Sequence, residues 1–212
     1  MSIDIFLYND RYNTSNMTQV TKGQRVRKKL VDTTARLLAR QGYHATGLAE
    51  IVHESGAPRG SLYFYYPGGK DELACEALAQ HGAAWAAQIL AALDRTTNLD
   101  AAIDAIVRLL ADGLEASGWG EGSPVAAAAL EAISPRVRAT IERHFDDWLV
   151  AVANRLHKFG ATRTSARKLA VVSLAAIEGA LLLARMQRSR EPLVIVGNAL
   201  KTLAAAPLRR AR

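Results

Sequence analysis

Apolar residues recur along most of the chain at spacings of three and four, the period of α-helices that bury one face, and β-branched runs are few. The pattern predicts a first helix from Gln24 to Gln41, with Val26, Leu30, Thr34, Leu37 and Leu38 on one face and Arg25, Lys28, Lys29, Asp32 and Arg36 largely elsewhere. Gly42 marks its end, and Thr46 is the expected N-cap of a second helix whose inner face is Leu48, Ile51 and Val52. Gly56 stands where a tight turn is needed, and Pro58 suits the first turn of a third helix reaching about Tyr65, anchored by Leu62 and Tyr66. Pro67-Gly68-Gly69 breaks the chain. A fourth helix follows from near Lys70 to Leu93, turning Leu73, Ala77, Trp85 and Ile89 inward. Further helices are predicted near 99–116, 124–132, 135–159, 164–188 and 191–205, with a frayed tail over 208–212. The fold class expected is all-α.

Composition changes this picture in two places. Half of the 212 residues are hydrophobic, enough for a sizeable core and against disorder, although residues 1–20 read as a disordered extension without the features of a signal peptide. The net charge of +7 is unevenly spread: residues 22–70 hold nine basic and three acidic side chains, while 71–212 hold 17 and 15. A basic N-terminal module on a near-neutral body points to a polyanion partner for that module alone, with a merely solvated basic face as the competing reading. The single cysteine, Cys75, excludes an internal disulfide and a cysteine-cluster metal site, and fits a reducing cytoplasm. No apolar run reads as long enough to span a membrane. The nearest, 170–184, contains Glu178 and is expected to be a buried helix, so no membrane partner is expected.

Enzyme motifs fail on inspection. Phe64 and Asp71 stand where a P-loop around Gly68-Gly69-Lys70 would need glycine and Ser/Thr. His53-Glu54 lacks the second histidine of a zinc-protease helix, and the glycines at 118, 120 and 122 follow no strand. Neither an enzyme nor a cofactor or metal is expected.

The segment from Thr46 to Lys70 reads instead as a helix-turn-helix, in which the second short helix enters the DNA major groove. Arg59 can contact guanine O6/N7 in bidentate fashion or fall back on a phosphate, Gly60 lets the backbone approach closely, and Ser61 can donate or accept. Tyr63 and Tyr65 can reach phosphates or thymine methyls, and Thr46 and Lys70 offer phosphate contacts at helix starts. Tyrosines packed in the core are the competing reading.

With these residues the segment from Arg25 to Leu73 resembles the DNA-binding domain of the TetR family of repressors. The matching elements are Gln41-Gly42-Tyr43, Ala49-Glu50-Ile51, Ser55-Gly56, Arg59-Gly60-Ser61-Leu62-Tyr63 and Lys70-Asp71-Glu72-Leu73. Pro67-Gly68-Gly69-Lys70, Gly122-Ser123-Pro124, Leu130-Glu131-Ala132 and the run from Ile177 to Arg185 are similar to the LmrA/YxaF-type branch. Ser123 stands where many members of that branch have cysteine, and Tyr65-Tyr66 where the family often has His-Phe.

The resemblance implies an extension over 1–21, a helix-turn-helix DNA-binding domain over 22–70, and a larger helical effector-binding and dimerisation domain over 71–212. It implies a homodimeric repressor of a palindromic DNA operator, released by a small hydrophobic or aromatic effector. A regulator or activator without an effector is the alternative. The dimer face is expected to include Leu169, Val172, Ala176, Leu183, Leu193, Val196 and Leu200 on the last two helices. The effector pocket is expected among Trp85, Gln88, Trp119, His144, Phe145, Trp148, Glu178 and Met186, for each of which ordinary packing or exposure is the competing reading.

Overall fold

A computed structural model describes residues 21–131 and 133–209; the extension expected over 1–20, Ala132 and the last three residues of the tail lie outside them. The described residues form nine helices and no strand: α1 (Lys22–Ala45), α2 (Leu48–Ser55), α3 (Ser61–Tyr65), α4 (Gly69–Asp94), α5 (Leu99–Ala116), α6 (Pro124–Ala129), α7 (Pro135–Lys158), α8 (Arg163–Gln187) and α9 (Glu191–Arg209). The all-α expectation holds, and most boundaries fall within a turn of the periodic pattern.

Local chemistry sets several helix starts. Thr21 and Gln24 form a reciprocal capping box, which begins α1 two residues earlier than its apolar stripe suggests. Ser123, Ser134 and Thr162 cap α6, α7 and α8 by accepting from backbone N–H groups three residues on. Pro124 and Pro135 occupy first-turn positions, where their missing N–H has no cost.

Gly42 interrupts α1 with φ 79° and ψ −177°, a combination open to glycine alone, before one more turn from Tyr43 to Ala45. The chain therefore turns here without leaving the helix. Thr46 then closes α1 rather than opening α2: its N–H donates to the Tyr43 carbonyl at 3.2 Å and its hydroxyl to the Gly42 carbonyl at 2.7 Å. Gly47 is the N-cap of α2. Gly56, at φ 61°, makes the left-handed turn expected of it. The third helix is shorter than its sequence suggests. Pro58, Arg59 and Gly60 lie in the turn before α3, whose first residue donates to the Pro58 carbonyl.

Three apolar clusters hold the elements together. Leu30, Leu37, Ile51, Leu62, Tyr66 and Leu73 knit α1, α2, α3 and the start of α4. Leu38, Tyr43, Leu78, Val125, Val137 and Ile141 join α1 to α4, α6 and α7. The largest cluster fills the space between the end of α4, α5, α7, α8 and α9. Polar ties reinforce the middle joint. The Glu131 carboxylate accepts from the Tyr43 and His44 backbone N–H groups at 2.7 and 2.6 Å. Arg185 of α8 donates to the Ala39 and Arg40 carbonyls of α1 at 3.2 and 2.6 Å.

The last two helices depart from expectation. By length and composition α8 is apolar enough to cross a bilayer, contrary to the sequence count, and little of its apolar window is buried within this chain. The core helix of a soluble protein can pass the same test, so this alone is weak evidence of a membrane partner. Leu193 and Leu200, expected on the dimer face, lie in the chain's own core, and Leu169 packs against that core from the side. Val172 and Leu183 are exposed, while Ala176 and Val196 are half-buried at the core's edge. The solvent-facing apolar surface instead adds Val171, Leu182 and Met186 of α8 and Val194, Ile195 and Leu203 of α9.

Candidate nucleic-acid interface and interior cavity

The residues of α3 divide by depth. Leu62 and Tyr66, four apart, are buried against α1 and α2 and fix the rotation of the helix. That rotation turns Tyr63 and Phe64 outward, 64% and 77% exposed. Arg59 and Gly60 are exposed in the preceding turn, and Ser61 is half-exposed at the start of the helix. No heavy atom lies within 4 Å of where a Gly60 Cβ would stand, so the approach to the backbone is open. Arg59, Gly60, Ser61 and Tyr63 thus share one exposed end of α3. Phe64 belongs to the same surface and was missed, although its place between the two anchors could have signalled it.

The other three expected DNA contacts sit differently. Thr46 is 0% exposed, and both its donors are committed to α1 carbonyls, so it presents neither to a phosphate in this arrangement. Tyr65 is half-buried. Its ring meets Phe64 edge-on at 4.9 Å, and its hydroxyl lies 2.7 Å from where a Gly23 Cβ would be, which turns it toward the start of α1. The Lys70 ammonium stands 4.2 Å from the Tyr43 ring centroid and 3.4 Å from the His44 carbonyl. Burial lowers the Lys70 pKa, with Glu131 and Asp71 opposing, so part of its charge serves the α1–α4 joint.

A cavity opens between α4, α6, α7 and α8, enclosing about 510 Å³ of space, part of it open to solvent. Five of the eight residues expected in an effector pocket line it: Trp85, His144, Phe145, Trp148 and Glu178. The other three do not. Gln88 is exposed on α4, Trp119 sits in a left-handed turn at φ 64° against the large core, and Met186 is 75% exposed on the outer face of α8. His81 and Ser123 line the cavity and were missed as lining residues. Ser123 carried a signal, being the position flagged for its departure from cysteine. Gly82 admits the His144 ring, which lies 2.6 Å from where a Cβ would stand.

Burial raises the Glu178 carboxyl to about 7, against the pull of a hydrogen bond from Ser123. Burial also lowers the His144 pKa, with Asp147 opposing. In the unfolded chain the Glu178 carboxyl ionises near its ordinary value of 4.5; in the folded chain it ionises near 7, so folding binds a proton between those values. Stability contributed at this site therefore falls as pH rises from about 4.5 to about 7 and stays lower above. Glu178→Gln is expected to stabilise the fold by up to about 2–3 kcal/mol at about pH 8 and by little at about pH 5. Thermal melts of both proteins at the two pH values test this, and a gain of equal size at both would contradict it.

A second cavity lies between the end of α4 and α5, α7, α8 and α9. Its lining is apolar apart from Ser173, and it shares Ile89, Trp148 and Ile177 with the first.

A basic unit with a short exposed helix behind a glycine turn, set on a hollow helical body, defines a helix-turn-helix DNA-binding regulator. The comparisons give the family. Residues 30–82 match the family described as bacterial regulatory proteins, tetR family, and residues 100–199 match the transcriptional regulator LmrA/YxaF-like C-terminal domain. YxaF of Bacillus subtilis, named as an uncharacterised HTH-type transcriptional regulator, is 34% identical over 84% of this chain and 94% of its own. The HTH-type transcriptional regulator LmrA of the same organism is 31% identical over 84% and 95%. The chain belongs to the TetR family of transcriptional regulators, with an LmrA/YxaF-like C-terminal domain. A regulatory TetR protein of Rhodobacter sphaeroides shares the fold, with a TM-score of 0.74 at 20% identity over 82% of this chain and 96% of that one. Reduced NemR of Escherichia coli does so at 0.70 and 22%, over 84% and 96%.

Proposed function

We propose that the protein is a ligand-responsive repressor that binds a palindromic operator as a homodimer and is released by a small hydrophobic or aromatic effector. The observation that carries this reading is the position of the first cavity. Its walls include α6 and α8, and both helices also hold α1, α6 through the shared apolar cluster and the adjacent Glu131, α8 through Arg185. A molecule that fits one setting of these walls better than another shifts the orientation of the DNA-binding unit, by as much as its affinities for the two settings differ. We divide the chain accordingly into a DNA-binding unit over 22–70 and an effector-binding and dimerising body over 71–212, acting in the cytoplasm.

On the DNA side, Arg59, Gly60, Ser61 and Tyr63 form the proposed reading surface, joined by Phe64. For the dimer, Val172, Ala176, Gly179, Leu183 and Met186 follow one another along α8 at alternating steps of four and three, a self-complementary stripe beside the exposed Val194, Ile195 and Leu203 of α9. A two-fold dimer sets two copies of α3 on successive major grooves, which calls for a palindrome.

Selection of bound DNA from a random pool at about physiological salt tests the reading. A single palindrome is expected. Enrichment of nothing, with binding that vanishes as salt rises, would overturn it. On the selected site, Arg59→Ala is expected to lose about 1–3 kcal/mol and to relax discrimination at one base position. Unchanged discrimination would remove Arg59 from the reading surface.

A further inference from the structure

Glu178 is a buried carboxyl group without a cation. Its hydrogen-bonding partner is the Ser123 hydroxyl, and among the described residues no lysine or arginine pairs with it. Arg185, two turns further along α8, is committed to the carbonyls of Ala39 and Arg40. Around Glu178 the same cavity presents Trp85, Phe145 and Trp148. An acid enclosed with three aromatic rings is the setting in which an ammonium or other organic cation is bound best. The carboxylate supplies the countercharge and the ring faces supply cation–π attraction where water is scarce. The two histidines of the lining are placed otherwise: burial lowers the His144 pKa, and His81 faces Asp32 at 3.2 Å.

The second cavity adds the other half of the ligand. It lies beside the first, and Ile89, Trp148 and Ile177 line both. Its lining offers almost nothing to a polar group, so an occupant reaching it from the first cavity must carry an apolar arm. Building on the reading of the first cavity as the effector site, we infer that the effector is a monocationic amphiphile. Its cationic head sits against Glu178 between Trp85, Phe145 and Trp148, and its apolar arm passes Trp148 into the second chamber. A neutral planar aromatic would use the rings and offer the acid no countercharge.

The test titrates the full-length protein with decyltrimethylammonium, decanol and decanoate, and with acridine orange base as an aromatic probe at a pH where it is uncharged. Tryptophan fluorescence reads binding, and release from the selected operator reads function. The alkyl cation is expected to bind about ten- to thirty-fold more tightly than decanol, with decanoate weakest. Its affinity should rise along an octyl, decyl, dodecyl series, all used below micelle formation. Glu178→Gln is expected to erase the preference for the cation and keep binding of decanol. The charge series on the unaltered protein carries the same decision should that variant fail to fold. Equal binding of cation, alcohol and carboxylate would overturn the inference and leave the effector reading standing. So would release of DNA by the neutral aromatic alone. Failure of every probe to bind or to release DNA would overturn both.

Discussion

Leu183→Glu is expected to convert the proposed dimer to a monomer and to weaken operator binding by about two to three orders of magnitude. Leu183 is 49% exposed on α8, in the stripe with Val172, Ala176, Gly179 and Met186. Nothing lies within 4 Å of where a Cβ on Gly179 would stand, so a close approach by a second helix is open at the middle of that stripe. A two-fold interface repeats each substitution, which sets two carboxylates into one dry contact without a partner charge. An uncompensated buried charge costs about 3–5 kcal/mol, and each 1.4 kcal/mol is about ten-fold in an equilibrium constant. The side chain faces solvent in the single chain, so the monomer's own stability should hardly change. Sedimentation separates the two effects. A variant that still sediments as a dimer and still binds its operator would remove this stripe from the interface.

The second large effect belongs to Gly42→Ala, which is expected to lower stability by about 2–6 kcal/mol. Two causes add. The backbone at φ 79° and ψ −177° strains any residue with a Cβ by about 1–3 kcal/mol. A Cβ placed there would also stand 1.8 Å from Glu131 Oε1, displacing the carboxylate that accepts from Tyr43 and His44. Leaving those two amides unpaired costs about 1–3 kcal/mol more. For a chain of this size the melting temperature should fall by roughly 5–15 °C. Glu131→Ala isolates the second cause and should account for roughly half of the loss. Melting of Gly42→Ala at the parent temperature would mean that the kink relaxes freely and that the joint is softer than its geometry implies.

The helices and the DNA-reading end were legible because each follows from a local rule. Apolar residues spaced three or four apart announce a helix, glycine announces a left-handed turn, and Leu62 with Tyr66 announces which way α3 rolls. Tertiary packing decided the rest. Thr46 satisfies the local rule for an N-cap, yet its hydroxyl finds the Gly42 carbonyl once the kink brings that group within reach. Around α8 and α9 apolar residues stand on several faces, and periodicity cannot say which face meets the chain's own core and which faces outward. Leu193 and Leu200 went inward while Val194, Ile195 and Met186 went out. Five cavity residues were found because Trp, Phe, His and Glu are conspicuous in an aromatic-poor chain. His81 escaped notice because nothing in its neighbourhood distinguishes it from a surface histidine.

The six residues of α6 give the molecule a strut. At one end Ser123 lines the cavity with Glu178, and just past the other the Glu131 carboxylate accepts from the backbone where α1 bends. A helix of that length spans roughly 9 Å, too short to bend along its length and flanked by loops at both ends. In the proposed effector response, a push at its cavity end would arrive at the bend as a shift of the whole piece. The two carboxylates stand at opposite ends of it, so under the proposed effector response a ligand that shifts Ser123 beside Glu178 is expected to loosen or tighten the hold of Glu131 at the Gly42 bend.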